Sequence, residues 1–166
     1  MDKYYYFVAQ LPYLHFDKET YMNIELFFNE GLKWLSNKDY NVLKSININE
    51  YQIKPYDPEI VKKYKQFEYE LRLDMANYRR AKKMSQEYKT KYVPSGILRE
   101  STPLEIEKAL MKARWDFIDE LEIDHHFDLE KLITYLLKLQ ILERLFTFNK
   151  EKGFEKFKQT CEVNYE

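Results

Sequence analysis

The sequence predicts an all-α fold of antiparallel helices around one long helix, and three observations carry that expectation. The 166 residues contain only 3 glycines and 5 prolines, too few for the many tight turns of a sandwich, a barrel or a phosphate-cradling glycine loop. Apolar residues recur at three- and four-residue steps over most of the chain. Two helix-start signatures, Asp57-Pro58-Glu59 and Thr102-Pro103 followed by Glu105, open the longest of these periodic stretches. The length fits one domain spanning residues 1–166. With 15 Tyr, 11 Phe and 2 Trp the chain has ample surface to bury, which excludes a disordered segment.

Residues 3–10 are too short and too uniformly apolar for periodicity to separate strand from helix, and they are expected to be buried. Over 20–35, Tyr21, Ile24, Phe27, Phe28, Leu32 and Leu35 mark an amphipathic helix with Asp17 or Thr20 as its cap. A turn of helix follows over 38–45. Residues 46–58, with two prolines, read as an irregular connection.

The long helix starts after Asp57. Ile60, Tyr64, Phe67, Leu71, Met75 and Tyr78 form its apolar stripe, and Ala81, Met84, Tyr88 and Tyr92 extend it until Pro94 and Gly96 stop it. Thr102 caps the next helix, whose expected buried face is Ile106, Leu110, Ala113, Phe117 and Leu121. Asp128 caps a third, apolar around most of its circumference apart from a narrow polar stripe of Lys131, Thr134 and Lys138, which places it at the centre of the fold. A last helix over 151–161 is expected to bury Phe154 and Phe157.

The apolar opening lacks a small-residue cleavage site and is interrupted by Gln10 and Pro12, so it reads as part of the folded domain. Residues 129–148 have the length of a membrane span but carry Glu130, Lys131, Lys138, Glu143 and Arg144, so they read as a soluble helix. The lone Cys161 excludes an internal disulfide framework, and a cytoplasmic location is expected.

Chemistry-bearing patterns are sparse. Asp116, Asp119, Glu120, Glu122, Asp124, His125, His126 and Asp128 crowd one stretch, which keeps a metal-dependent enzyme as an alternative. Adjacent histidines diverge on most backbones, however, and a di-iron bundle needs the Glu-x-x-His pattern from each of two facing helices, a pair that this chain lacks. A polar interhelix loop is the simpler reading. No metal, cofactor or catalytic residue is assigned.

The formal net charge of −1 hides an asymmetry: 12 basic against 6 acidic residues over 54–99, then 3 against 10 over 100–130. A nucleic-acid-binding helical module is the second alternative, disfavoured because no recognition motif accompanies the basic helix, so nucleic acid is not expected as a partner. Arg72, Ala76 and Arg79 share one strip of the long helix, and Ala113, Asp116 and Glu120 a comparable strip of the next. Pairing of Arg72 or Arg79 with Asp116 or Glu120 is therefore expected inside the domain. Lys62, Lys63, Lys82, Lys83, Lys89 and Lys91 are expected to stay solvated and face an acidic partner.

Four stretches carry a family resemblance: Tyr4 to Pro12 (YYYFVAQLP), Glu70 to Ala81 (ELRLDMANYRRA), Ala113 to Leu121 (ARWDFIDEL) with Phe127-Asp128, and Tyr135 to Arg144 (YLLKLQILER), closed by Gly153 and Phe157. Together they resemble a bacterial family of uncharacterised proteins encoded among V-type (A/V-type) ATPase genes. That family is similar in turn to a shortened form of the ATPase's C-type subunit (d-type in eukaryotes), a helical funnel joining the central stalk to the membrane ring. Gln10 and Pro12 stand where the funnel protein usually has arginines, and the chain is about half its length. The resemblance implies a non-catalytic accessory, assembly or central-stalk component. Its implied partners are ATPase stalk or ring subunits, met through protein–protein contacts at the membrane periphery.

Overall fold

Eight consecutive side chains, residues 132–139, are all buried, and the rest of the chain is arranged around the helix that carries them. The structure, a computed structural model, describes residues 4–148 and 150–161. These form α1 (Tyr5–Gln10), α2 (Ile24–Trp34), α3 (Asn37–Lys44), α4 (Glu59–Lys83), α5 (Ser95–Glu100), α6 (Pro103–Glu122), α7 (Leu129–Phe146) and α8 (Lys150–Cys161), with no strand among the described residues. The fold is all-α. No helix among them is long and apolar enough to cross a membrane.

α7 occupies the centre because it is apolar on nearly every side, and such a helix leaves water only by being surrounded. α2, α3 and α6 pack directly on it, and α1 covers α2. Even its polar stripe is largely enclosed. Thr134 and Lys138 are buried, the first donating to the Lys131 carbonyl at 2.9 Å and the second held by Asp119 at 2.7 Å and Glu122 at 2.5 Å. Gln140 on the same helix clasps the irregular 46–58 connection, accepting from Ile48 N at 2.7 Å and donating to the Ile46 carbonyl at 3.0 Å.

α6 and α7 form an antiparallel hairpin, since Lys131 at the start of α7 meets Glu122 at the end of α6, and Arg144 meets Glu107 at the other end. α4 lies antiparallel on the far side of α6: Phe67 stacks on Phe117, Glu68 binds Arg114, and Met75 clusters with Ala109 and Leu110.

Several local features differ from the sequence expectation. Residues 5–10, which the sequence leaves open between strand and helix, are helical, and the segment is not buried as a whole: Phe7 is enclosed while Tyr5 and Tyr6 are exposed. α2 starts at Ile24 and is capped by Asn23, whose Oδ1 accepts from Leu26 N at 2.8 Å. The face of α2 is rotated so that Gly31 is buried against Phe7 while Tyr21 and Leu32 are exposed. Asp57 does not cap α4. Its carboxylate receives Lys54 N at 2.8 Å and the buried Lys65 ammonium at 2.7 Å. Burial works against that charge, but these hydrogen bonds outweigh it and hold the Asp57 pKa below its ordinary value.

The largest departure is at the end of α4. The helix stops at Lys83, where Ser85 takes a positive φ of 53°. Ser85 N then donates to the Lys82 carbonyl and Gln86 N to that of Ala81, a Schellman closure made without glycine. The following chain folds back onto its own helix because Asp74, itself buried, accepts from Lys91 N at 2.9 Å, Tyr92 N at 3.3 Å and the Tyr88 hydroxyl at 2.9 Å. Helix continuation to Tyr92 would forfeit all three. Pro94 and Gly96, expected only as stop signals, border and open α5.

The capping box of α6 forms as expected between Thr102 and Glu105. Its buried side chains, Met111, Arg114, Trp115 and Ile118, lie just beyond the expected stripe, whose members are half-buried. α6 is sandwiched between α4 and α7 and so buries a wider arc than a one-sided helix. On α8, Phe154 and Phe157 are exposed rather than buried.

Candidate functional site

The α4–α6 contact is built around a buried ion network. Glu68 falls four residues after Tyr64 on the apolar stripe and is fully buried. Arg114 grips it with two parallel hydrogen bonds, Nε to Oε2 at 2.8 Å and Nη2 to Oε1 at 2.9 Å, and Arg72 Nε adds a third at 2.8 Å. Burial alone would lower the Arg114 pKa, but the hydrogen bond and charge of Glu68 raise it overall.

This replaces the expected pairing. Arg72 turns back to Glu68 and reaches the Asn49 carbonyl at 3.2 Å, while Asp116 pairs with Lys112 on its own helix. Arg79 and Glu120 are exposed, without an ion pair among the described residues. The antiparallel register explains the exchange: it sets Glu68 opposite Arg114, whereas the Arg72–Ala76–Arg79 strip faces solvent. A two-pronged guanidinium–carboxylate bond does join the two helices, with the acid on α4 and the base on α6.

Beside this network a groove of about 730 Å³ opens between α4 and α6. Its floor is aromatic: Phe67 and Phe117 stack face to face, with centroids 4.1 Å apart, and Tyr92 meets Phe67 edge-on at 5.1 Å. Lys62 and Lys63 line the α4 side, and Glu120 and Leu121 the α6 side. Glu70 forms an end wall, accepting from the Tyr92 hydroxyl at 2.5 Å, Gln66 at 3.1 Å and Lys91 at 3.0 Å. These donors, Tyr92 foremost, hold its pKa down to about 2, and the Tyr92 and then the Glu70 side chain raise that of Lys91. Burial and the bond to Glu70 raise that of Tyr92.

Of the lysines expected to face a partner, Lys62, Lys63 and Lys91 line this groove. Lys63, Lys82, Lys83 and Lys89 are exposed, and Lys62 is half-buried at 3.9 Å from Glu59. Lys91 is exposed too and pairs with Glu70 at 3.0 Å. Lys62 and Lys82 are separated along α4 by about 30 Å at 1.5 Å per residue, so the set does not make one surface. The acidic stretch does bring ligand atoms of His125, Asp128 and Glu130 within 4.8 Å of one another. Both Asp128 oxygens are engaged, one by Lys131 N at 2.9 Å and one by His125 Nδ1 at 2.6 Å.

Sequence reasoning missed Glu68, Arg114 and Asp74. The signal available for Glu68 was a carboxylate within the buried stripe of α4. For Arg114 it was a guanidinium three residues after Met111 and four before Ile118.

Residues 96–163 match a family model described as "Protein of unknown function (DUF2764)". That stretch, less than half of the chain, spans nearly all of α5 and all of α6 to α8, including Arg114, Phe117 and Glu120, but not the α4 side of the groove. No curated protein and no solved structure gives a significant match.

Proposed function

We propose that this chain is a non-catalytic component of a V-type ATPase, an accessory, assembly or central-stalk factor that meets stalk or ring subunits through protein contacts on the cytoplasmic side of the membrane. The observation that carries the contact role is the α4–α6 groove: an open aromatic floor with a lysine pair on one side. The assignment to the ATPase is supported by the resemblance of the stretches 113–121 and 135–144, both within the matched segment 96–163. Lys62 and Lys63 suit a partner segment that offers carboxylates beside an apolar ridge.

The test is affinity capture of the tagged chain from its native cell under gentle extraction. Recovery of ATPase stalk or ring subunits is expected, with loss of that recovery when Lys62→Glu and Lys63→Glu are combined and retention when Lys82→Glu and Lys83→Glu are. Absence of ATPase subunits from the native capture overturns the assignment. The rival, a metal-dependent enzyme at residues 116–128, rests on the convergence of His125, Asp128 and Glu130. Stoichiometric transition metal in protein purified without chelator, lost in His125→Ala, would favour it.

A further inference from the structure

A second groove, of about 440 Å³, lies on α7 well away from the first. Its wall is formed by Leu139, Leu142, Glu143 and Phe146, a stripe at steps of three, one and three residues, faced by Met22 and Glu19 from the segment before α2. Phe146 is 43% exposed there. The groove thus has an apolar floor, exposed chiefly at Phe146, with Glu19 and Glu143 on its edges, Glu143 Oε1 also accepting from Ile24 N at 3.1 Å.

The same molecule presents a helix face of the matching chemistry. On α8, Phe154 and Phe157 are 57% and 62% exposed, and Lys158 shares their face, its ammonium 4.8 Å from the centre of the Phe154 ring. Positions i, i+3 and i+4 of a helix form one surface. Two unburied aromatic rings beside a cation complement an apolar trough edged by glutamates in both packing and charge.

Phe146 in the groove and Phe154 and Phe157 on α8 are all exposed, so α8 does not seat its aromatic face on its own groove. At about 100° per residue, Arg144 lies on the opposite side of α7 from Leu139, Leu142 and Phe146, and Phe148 follows two residues beyond the helix end. Both are anchored: Arg144 reaches Glu107 on α6 at 3.6 Å and covers the Phe148 ring at 5.2 Å, and Phe148 packs against the main core. Bringing α8 across to its own groove would unseat that anchor, whereas a short anchored joint suits exchange of the terminal helix between copies.

We infer that the α7 groove edged by Glu19 and Glu143 is the seat for α8 of a second copy of this chain, exchanged reciprocally in a symmetric dimer. Both seats are equivalent, so the contact closes on itself and leaves no open end for further growth. The α4–α6 groove is not part of either seat and stays open to another partner.

Sedimentation equilibrium of the full chain over a hundredfold concentration range should show a reversible monomer–dimer equilibrium. Phe154→Asp with Phe157→Asp should weaken it at least tenfold, and Phe146→Asp, on the groove side, should do the same. A photo-crosslinker placed at position 157, in a mixture of isotopically light and heavy copies, should join α8 of one copy to residues 19–23 or 139–147 of the other. A monomer at every concentration overturns the proposal, as does a dimer indifferent to both sets of substitutions. Crosslinks confined to single copies would show α8 closing on its own groove and overturn it equally.

Discussion

Glu68 and Asp74 stand six residues apart on one helix, both buried, and the two halves of α4 use them in opposite ways. Glu68 is neutralised by full charges, with Arg114 in two-pronged contact and Arg72 above it, and it ties α4 to α6 beside the main core. Asp74 is surrounded by dipoles: two backbone N–H groups and a phenol, all from the segment after the helix. A carboxylate among guanidiniums fastens one helix to another. A carboxylate that collects backbone N–H groups shapes a loop, because those donors exist only where the chain is not helical. The first therefore bears on the assembly of the whole fold, the second on a local return.

Removing Glu68 should have the largest effect. Glu68→Ala leaves the Arg114 guanidinium buried without its counter-charge, and a cost of about 3–5 kcal/mol in urea unfolding is expected. Glu68→Leu combined with Arg114→Met should recover most of that loss, since replacing both members of a buried pair with apolar residues of similar size is often near neutral. Failure of the double variant to recover would mean that the pair contributes more than mutual neutralisation.

Asp74→Ala should cost less, about 2 kcal/mol, the scale of hydrogen bonds to a charged group. The loss should be regional: amide exchange at Lys91 and Tyr92 should accelerate while the α7 core keeps its protection. Equal acceleration in α7 would break the proposed division between a fold-wide and a local carboxylate.

Acid should act next, through carboxylates outside both sites. The folded-state pKa values of Asp57, Glu70 and Glu122 lie below their ordinary values of 3.8, 4.5 and 4.5, that of Glu70 at about 2. Burial opposes the shift at Glu122, and the Lys131 and Lys138 ammoniums outweigh it. A depressed carboxylate pKa stabilises the fold fully above the unfolded-state value, and that contribution is lost as pH falls through the folded one. The thermal midpoint should therefore decline as pH drops from about 5 toward 2, and Glu70→Gln should flatten the part of the curve below its ordinary value.

The smallest effect is expected at the exposed arginine of α4. Arg79→Ala should change stability by no more than about 0.5 kcal/mol, as at most surface positions. Double-mutant cycles of Arg79 with Asp116 and with Glu120 should show no coupling, against clear coupling between Glu68 and Arg114. Measurable coupling at Arg79 would restore the pairing expected from the sequence.

Much of the helical layout was legible without coordinates because its causes are local. The Thr102–Glu105 capping box, Asp128 at the head of α7, and the stripe Ile60, Tyr64, Phe67, Leu71 and Met75 depend on residues within a few positions of one another. The central place of α7 was legible too, since a helix apolar on nearly all sides has only one kind of environment. The end of α4 was not, because the periodic stripe runs through Met84, Tyr88 and Tyr92 as well as through any true helix. What stops it is Asp74 capturing donors 14 to 18 residues further on, a competition between helix and loop that local pattern cannot weigh.

The candidate site divides along the same line. By its sequence alone, this protein determined that it is helical, that basic residues prevail over 54–99 and acidic ones over 100–130, and that a guanidinium–carboxylate bond between neighbouring helices was available. Tertiary structure decided which residues make that bond and where a groove opens. The antiparallel register of α4 on α6 sets Glu68 against Arg114 and stacks Phe67 on Phe117, and it leaves Arg79 and Glu120 in solvent. Register depends on how whole faces interdigitate, and a charged residue's partner is fixed only when two helices far apart in the chain settle against each other.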